Sequence, residues 1–493
     1  MAVHISRSVG SGDAMRILLI EDDQCFLPGV EPTLKEISGA AENLTIVKSR
    51  DSTIAAIDAV TSRNEFYDIF ILDLSIPTID GKADDEVDHG MTVFYYLEHY
   101  APRTPIFILT GSDVNPIVNK LLSHAEQVDV WGNRRRIPTV QVKSKMDLLS
   151  FFDELRSVAD CIAETDDIEI VARNLTLTSQ QRRVFRVFAR RRDSRSCEVS
   201  TLAGGLSSSQ VFRVTARSAS GDIQIVVAAK IADITAVNDE HERFDRHLKR
   251  LKAGAYPSRI EEIRSGAGLT AGVFYWLLNA DSRSLFSLLA VDSERAAKVV
   301  EKVQNLAIDW IAGEVTTEVA DIRRRLVKDE EANDLVSRYG LAWTKEFEKK
   351  SIQTKRACLH GDLHGGNILV DRNGTPLLID FSEVGPGVAS IDPITLELSL
   401  LFHPNFQEIR GSWPSIDTAA MWPVYSRYIQ NCPCPAFVEA CRNWCYDVAA
   451  GDREIYASAY TYLLLQLTYP QTDRKLIFSL LDAVRRSFLD SYN

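Results

Sequence analysis

Residues 358–371 read CLHGDLHGGNILVD, and LLIDFS follows at 377–382. An Asp, two His and an Asn fall within a few residues, loosened by glycines and closed by an apolar run. A short apolar strand then delivers Asp380. Transfer of a phosphoryl group from a nucleotide asks little covalent work of a protein. It requires a divalent cation between phosphates, a group to orient the acceptor hydroxyl, and cations on the phosphate oxygens. Asp362 followed by Asn367 has the spacing of a catalytic Asp and a metal-binding Asn, with Asp380 as the second metal ligand. Gly361, Gly365 and Gly366 allow the backbone to turn tightly around them.

Upstream, the remaining parts can be placed. After a basic amphipathic stretch, TSQQRRVFRVFARRR (178–192), the hydrophobic period becomes two in CEVSTLAGGLSSSQVFRVTARSASGDIQIVVAAKI (197–231). Three antiparallel strands are expected there, joined by a Gly/Ser loop and a turn at SASGD. Lys230 ends the third strand, in the position of a lysine gripping the α/β phosphates. AVNDEHERFDRHLKRL (236–251) is a helix offering Glu240, or else Glu242, to pair with it. Backbone amides of the first loop, at Gly204, Gly205, Ser207 and Ser208, can cover the phosphates, although the loop lacks a GxGxxG pattern. Tyr275 to Asn279, Leu278 among them, fall where a joint between lobes would contact a base. From about Asp281 helices dominate.

The first third reads differently. RILLI, LTIVKS, DIFILDL, TPIFILTG and TVQVKS are short apolar runs alternating with helical patterns such as DSTIAAIDAVTS and GMTVFYYLEHY. That alternation implies right-handed crossovers and a parallel sheet covered on both faces, with functional residues at the carboxyl ends of its strands. Those ends carry Glu21, Asp22 and Asp23, then Asp73, Thr110 and Lys143. Clustered carboxylates repel one another, and a hard cation such as Mg²⁺ relieves the repulsion. With the metal bound, Asp73 could act as a nucleophile toward a phosphoryl donor, with Thr110 and Lys143 receiving the new oxygens.

Two resemblances follow from these motifs. Residues 15–160 resemble the receiver domain of two-component response regulators. The resemblance implies a flavodoxin-like (βα)5 fold, phosphorylation of Asp73 by a sensor histidine kinase or phosphotransfer protein, and Mg²⁺ held by Glu21, Asp22, Asp73 and the Ser75 carbonyl. Thr110 and Lys143 match the family's switch hydroxyl and lysine. The chain departs from the pattern in an acidic insertion, TIDGKADDEVDHG, and in a lengthened AEQVDVWGNRRRIP. It has Ser144 where a Pro is usual after the lysine, and Val140 where an aromatic is usual. From about Cys197 to the end, HGDLHGGNILV and LIDFSEVGPG resemble the aminoglycoside phosphotransferase and choline kinase group. That implies an α+β bilobal protein-kinase-like fold and transfer from ATP or GTP to a hydroxyl acceptor.

The expected domains are a disordered 1–14, a receiver 15–160, a linker with the basic helix 161–195, a small lobe 196–280 and a helical lobe 281–493. Two rival readings stand beside the enzyme. One is a signalling scaffold with an inert nucleotide-binding kinase fold. The other is a DNA-binding regulator suggested by the basic helix, which the switch to period two disfavours because a helix-turn-helix needs further helices. The net charge of −12 also argues against a partner held by overall charge, such as nucleic acid. No segment reads as a signal peptide or a membrane span, so a cytoplasmic protein with reduced cysteines is expected. Cys432, Cys434, Cys441 and Cys445 could hold zinc, but ordinary core packing fits the spacing better. The acceptor, and dimerisation of the kind receivers often use, are left open.

Overall fold

The computed structural model describes residues 15–111, 115–202, 210–248, 251, 254–276 and 282–491. The expected 1–14 tail, the loop residues Gly204, Gly205, Ser207 and Ser208, and Leu278 lie outside these described residues. The chain divides into two compact units, 1–237 with 259–276, and 238–258 with 277–493.

The first unit holds two sheets. Strands β1 (Ile17–Ile20), β2 (Leu44–Val47), β3 (Ile69–Asp73), β4 (Ile106–Thr110) and β5 (Val140–Ser144) are parallel, in the order 2-1-3-4-5. Helices α1 (Leu27–Ile37), α2 (Arg50–Ser62), α3 (Val87–Tyr100), α4 (Asn115–Leu122) and α5 (Leu148–Asp166) connect and flank them. Successive strand residues point to opposite faces, and the core divides accordingly. Ile17, Leu19, Ile69 and Ile71 pack with Leu34 of α1 and Leu155 of α5. Leu18, Ile20, Phe70 and Leu72 pack with Ile57 of α2 and Phe94 of α3. Such continuous apolar strands are what a sheet buried on both sides demands. This is the doubly wound order that places a crevice at the strand ends of β1 and β3.

The lengthened stretch before β5 forms a short antiparallel ribbon, Gln127–Val128 against Ile137–Pro138. The acidic insertion is ordered against the N-terminus of α2. Asp80 accepts hydrogen bonds from Ser49 and Ser52 (2.6 and 2.9 Å), and Asp84 accepts from the amide and hydroxyl of Thr78.

The second sheet is larger than the three expected strands. Strand β6 (Glu169–Ala172) comes from the stretch expected to be a linker, and helix α6 (Ser179–Arg191) follows. Strands β7 (Ser196–Thr201), β8 (Gln210–Arg217), β9 (Ile223–Asp233), β10 (Arg259–Ile263) and β11 (Thr270–Trp276) complete a sheet of order 10-11-9-8-7-6. All neighbours are antiparallel except β6, which runs parallel to β7. Thr178 and Gln181 cap α6 reciprocally, satisfying amides a helix start leaves bare. Val184, Phe185, Val187 and Phe188 are fully buried on the sheet. Phe188 stacks on Phe274 (3.9 Å) and Phe185 meets Phe212 edge-on. Each such side chain contributes about 1.5–3 kcal/mol by burial.

The polar side of α6 is bound to the parallel-sheet domain. Arg183 pairs with Asp68 (2.6 Å) and Asp166 (3.4 Å), with all three side chains 3% exposed or less. Ser179 and Gln180 donate to the carbonyls of Asn64 and Glu65. Arg190 donates to Trp131 O, and Arg191 pairs with Asp129 of the ribbon. The basic helix therefore joins two sheets instead of presenting its arginines to solvent.

The second unit is mainly helical. Helix α7 (Ile234–His247) begins in the first unit and continues into it. Helices Ile391–Phe402, Pro435–Val448, Asp452–Thr468 and Arg474–Asp490 share one core. Cys434, Cys441 and Cys445 are buried in that core. Among the described residues the cysteines form no convergent ligand group. In the same core Glu397 takes a buried pair from Arg442 and accepts from Trp422 Nε1 (2.8 Å). Among the described residues no helix is long and apolar enough to cross a membrane.

Candidate active sites

The rim of the parallel sheet gathers Glu21, Asp22 and Asp73, each offering an oxygen within 4.8 Å of the others. β1 and β3 are adjacent and in register, which brings the residues following Ile20 beside Asp73. Asp23 is used locally: its Oδ1 accepts from the amides of Cys25 and Phe26 and starts α1.

The lysine at this pocket is Lys145, a correction to the expectation of Lys143. Lys145 Nζ lies 2.7 Å from Glu21 Oε2 and 2.7 Å from Asp73 Oδ2. Lys143 is instead paired with Glu154 of α5. The shift of two residues keeps the same side of the strand, so alternation alone does not separate the candidates. The Lys145 amide donates to Thr110 O (2.9 Å) beyond the end of β5, and Asp147 two residues later caps α5. A lysine just ahead of that cap was the available signal. Thr110 ends β4 opposite Ser144. The Ser75 amide donates to Asp73 Oδ1 (3.2 Å).

The charge state follows from crowding. Burial, then the charge of Asp73, pushes Glu21 up to about 7 against the pull of Lys145. Burial and Asp85, from the acidic insertion, raise Asp22. Burial works against protonation of Lys145, but Asp73 and Glu21 together outweigh it and raise that group. A buried carboxylate held near neutrality beside two others fits a hard divalent cation, whose charge would replace the shared proton. Glu21, Asp22 and Asp73 would hold it.

The second constellation lies entirely in the second unit. Strand Ser351–Leu359 runs into His360, Gly361 and Asp362. Asp392 fastens this turn, accepting from the amides of His360 (2.7 Å) and Gly361 (3.0 Å). Gly361 has φ +85°, and a Cβ there would collide with the Glu383 carbonyl. Asn367 Nδ2 donates to Asp362 O (2.8 Å) and approaches Asp362 Oδ2 (3.4 Å). Strands Ile368–Val370 and Pro376–Leu378 pair, and Ile379 N donates to Asn367 O (2.9 Å), which sets Asp380 beside Asn367. Asp380 itself has φ +62°, a left-handed conformation that costs a non-glycine residue energy and clusters at functional sites.

His360 Nε2 bonds Ile379 O (2.9 Å) and ties the two loops. His364 accepts from Gly366 N at Nδ1 (3.0 Å), and its Nε2 lies 3.7 Å from Asp362 Oδ2. His403, for which the sequence offered no signal, packs at a tilt against His364, ring centroids 4.5 Å apart. Burial holds both His364 and His403 down at about 4, so they are neutral and shape the loop. Burial, with help from Asp380, raises Asp362 while His360, His403 and Asn367 oppose it. With 48% of that side chain open to solvent, screening limits the rise. Asn367 and Asp380 are oxygen donors of the type Mg²⁺ prefers.

Lys230 is on β9, paired with Val211 and Val273, and is 5% exposed. Glu240 is on α7 and 8% exposed. Burying a charged side chain this far is costly without partners.

Residues 198–410 match the family model of the phosphotransferase enzyme family, APH, so the C-terminal part carries a phosphotransferase-family domain. Among curated proteins, none matches the chain. Similar solved structures include a thermostable mutant of aminoglycoside phosphotransferase APH(4)-Ia with AMP-PNP and hygromycin B, at 14% identity and TM-score 0.35, covering 59% of this chain and 93% of that one. A glucosamine kinase with glucosamine, ADP and inorganic phosphate has 14% identity and TM-score 0.31, covering 54% and 80%. The cyanobacterial phytochrome response regulator RcpA has 16% identity and TM-score 0.22, covering 31% and 96%.

Proposed function

We propose that this protein is a response regulator whose output is an ATP-dependent phosphotransferase acting on a hydroxyl acceptor. The observation that carries the enzymatic half is the Asp362–Asn367–Asp380 arrangement inside the segment matched by the phosphotransferase family. In this reading Asp362 accepts the proton of the acceptor hydroxyl as its oxygen bonds the γ-phosphorus and the bond to the β-phosphate oxygen breaks. Asn367 and Asp380 would hold Mg²⁺, and its charge would offset that of the phosphates. Lys230 binds the α/β phosphates, with Glu240 as its partner.

The regulatory half rests on Asp73, bonded to Lys145 beside Glu21 and Asp22. A sensor histidine kinase or phosphotransfer protein supplies the phosphoryl group to Asp73, and Lys145 neutralises one of its new oxygens.

Turnover tests the enzyme against an inert scaffold. Asp362→Ala and Asp380→Asn are each expected to reduce ATP hydrolysis or transfer by about 10²–10⁴-fold, read by ADP release with offered aminoglycoside, amino-sugar and choline acceptors. ATP binding without turnover on any acceptor, and no difference between wild type and Asp362→Ala, would favour the scaffold.

A further inference from the structure

Where the ribbon before β5 meets the end of α6 and strand β10, the first unit has an open groove of about 560 Å³. Its wall includes Arg103, Arg134, Arg136, Arg191 and Arg192, against Glu126, Asp129 and Glu261. Five guanidiniums face three carboxylates there, and Asp193, paired with Arg134 (2.6 Å), is a fourth, so one positive charge is in excess in a chain whose net charge is −12.

The arginines are not equally committed. Arg191 and Arg192 are held by Glu261 (2.8 and 2.9 Å), itself 15% exposed, and they also offset the negative end of α6. The ion-pair partners of Arg103 and Arg134 are exposed, Glu126 at 56% and Asp193 at 78%, and Arg134 also donates to Arg191 O (3.1 Å). Pairs of that kind contribute little and are readily exchanged. Arg136 makes no ion pair among the described residues and is exposed. Arg103 and Arg134 both adopt left-handed backbone conformations, φ +61° and +64°, a cost that proteins tend to retain where geometry serves binding. Guanidinium forks match phosphate oxygens in pairs, which ammonium groups do not.

We propose that this groove is a binding site for a small phosphate-bearing anion, taken by Arg103, Arg134 and Arg136. The volume lies within the range of small-molecule sites. The three arginines all come from the parallel-sheet domain, and Glu261 of the sheet carrying Lys230 stays engaged by Arg191 and Arg192. Nothing in this inference depends on turnover at Asp362.

The test is calorimetric titration of the full-length protein with inorganic pyrophosphate, and separately with inorganic phosphate and sulfate. A variant combining Asp73→Asn, Lys230→Ala and Asp362→Ala removes the other two phosphate sites from the measurement. Saturable binding that survives in this variant, and that weakens at least tenfold on further Arg136→Glu substitution, is the expected result. Arg136→Gln should weaken it less, and the melting temperature without ligand should be unchanged by either. Binding lost with the triple substitution, unaffected by Arg136→Glu, or equal for sulfate and both phosphates would overturn the proposal.

Discussion

Lys145 donates to Asp73 and forms an ion pair with Glu21, so the charge balance of the sheet-rim pocket depends on one ammonium. Lys145→Ala is expected to slow phosphoryl uptake at Asp73 by about tenfold or more. Lys143→Ala should leave it near wild type, measured as acid-labile phosphate after exposure to a phosphodonor. The same pocket gives a pH signature. Glu21 is raised from 4.5 to about 7 in the folded, metal-free protein, so folding is favoured by its protonated form. That contribution is complete below about 4.5 and is lost as pH rises through about 7. Mg²⁺ should therefore raise the melting temperature more at about pH 8 than at about pH 5, and Glu21→Gln should flatten the difference. Residue chemistry was legible where spacing was rigid, as in Asp362 with Asn367. It failed at Lys145, because two lysines share one strand face and only the downstream helix cap distinguishes them. Asp380 adds a caution for mutagenesis. Asn tolerates its left-handed backbone better than Ala does, so Asp380→Asn removes charge with less added strain.

Among the elements, α6 shows how a sequence signal can be right in kind and silent on partner. Its apolar stripe was readable, and Val184, Phe185, Val187 and Phe188 are all buried. Its arginines gave no indication that Asp68 and Asp166 would face Arg183, because those residues lie 115 and 17 positions away. Removing Arg183 leaves Asp166 with Arg186 (3.0 Å) and Asp68 with the Arg16 amide (2.8 Å), so the cost falls toward the lower end of the about 3–5 kcal/mol for breaking a buried pair. Arg183→Met should lower the denaturation midpoint by that margin, while Arg182→Ala on the same helix should change it little. Equal effects from the two would argue that the pair contributes nothing special. Strand β6 was missed for a related reason: EIVA is too short to show a period, and only its pairing with β7 makes it a strand.

Across the whole chain, the proposed regulation predicts that occupancy of Asp73 changes either turnover or oligomeric state. A phosphate mimic bound at Asp73 should alter one of the two, and Asp73→Asn should be unresponsive. Light scattering and ADP release on the same samples are the measurements. No change in both with the cognate donor present would remove the link. The strands of the parallel domain were readable, because each buried strand is a continuous apolar run, whereas their order came only from the structure. The second sheet was only half readable, since edge strands carry weak alternation.

Strand β6 has one practical consequence. It closes the outer side of the six-stranded sheet and follows α5 after a gap of two residues. A fragment started at Ser196, the intuitive place to isolate the catalytic part, would strip β7 of its neighbour and its aromatic cover together. Bare backbone donors and acceptors along such a margin recruit other chains, so that fragment should precipitate where one begun ahead of Glu169 stays dispersed.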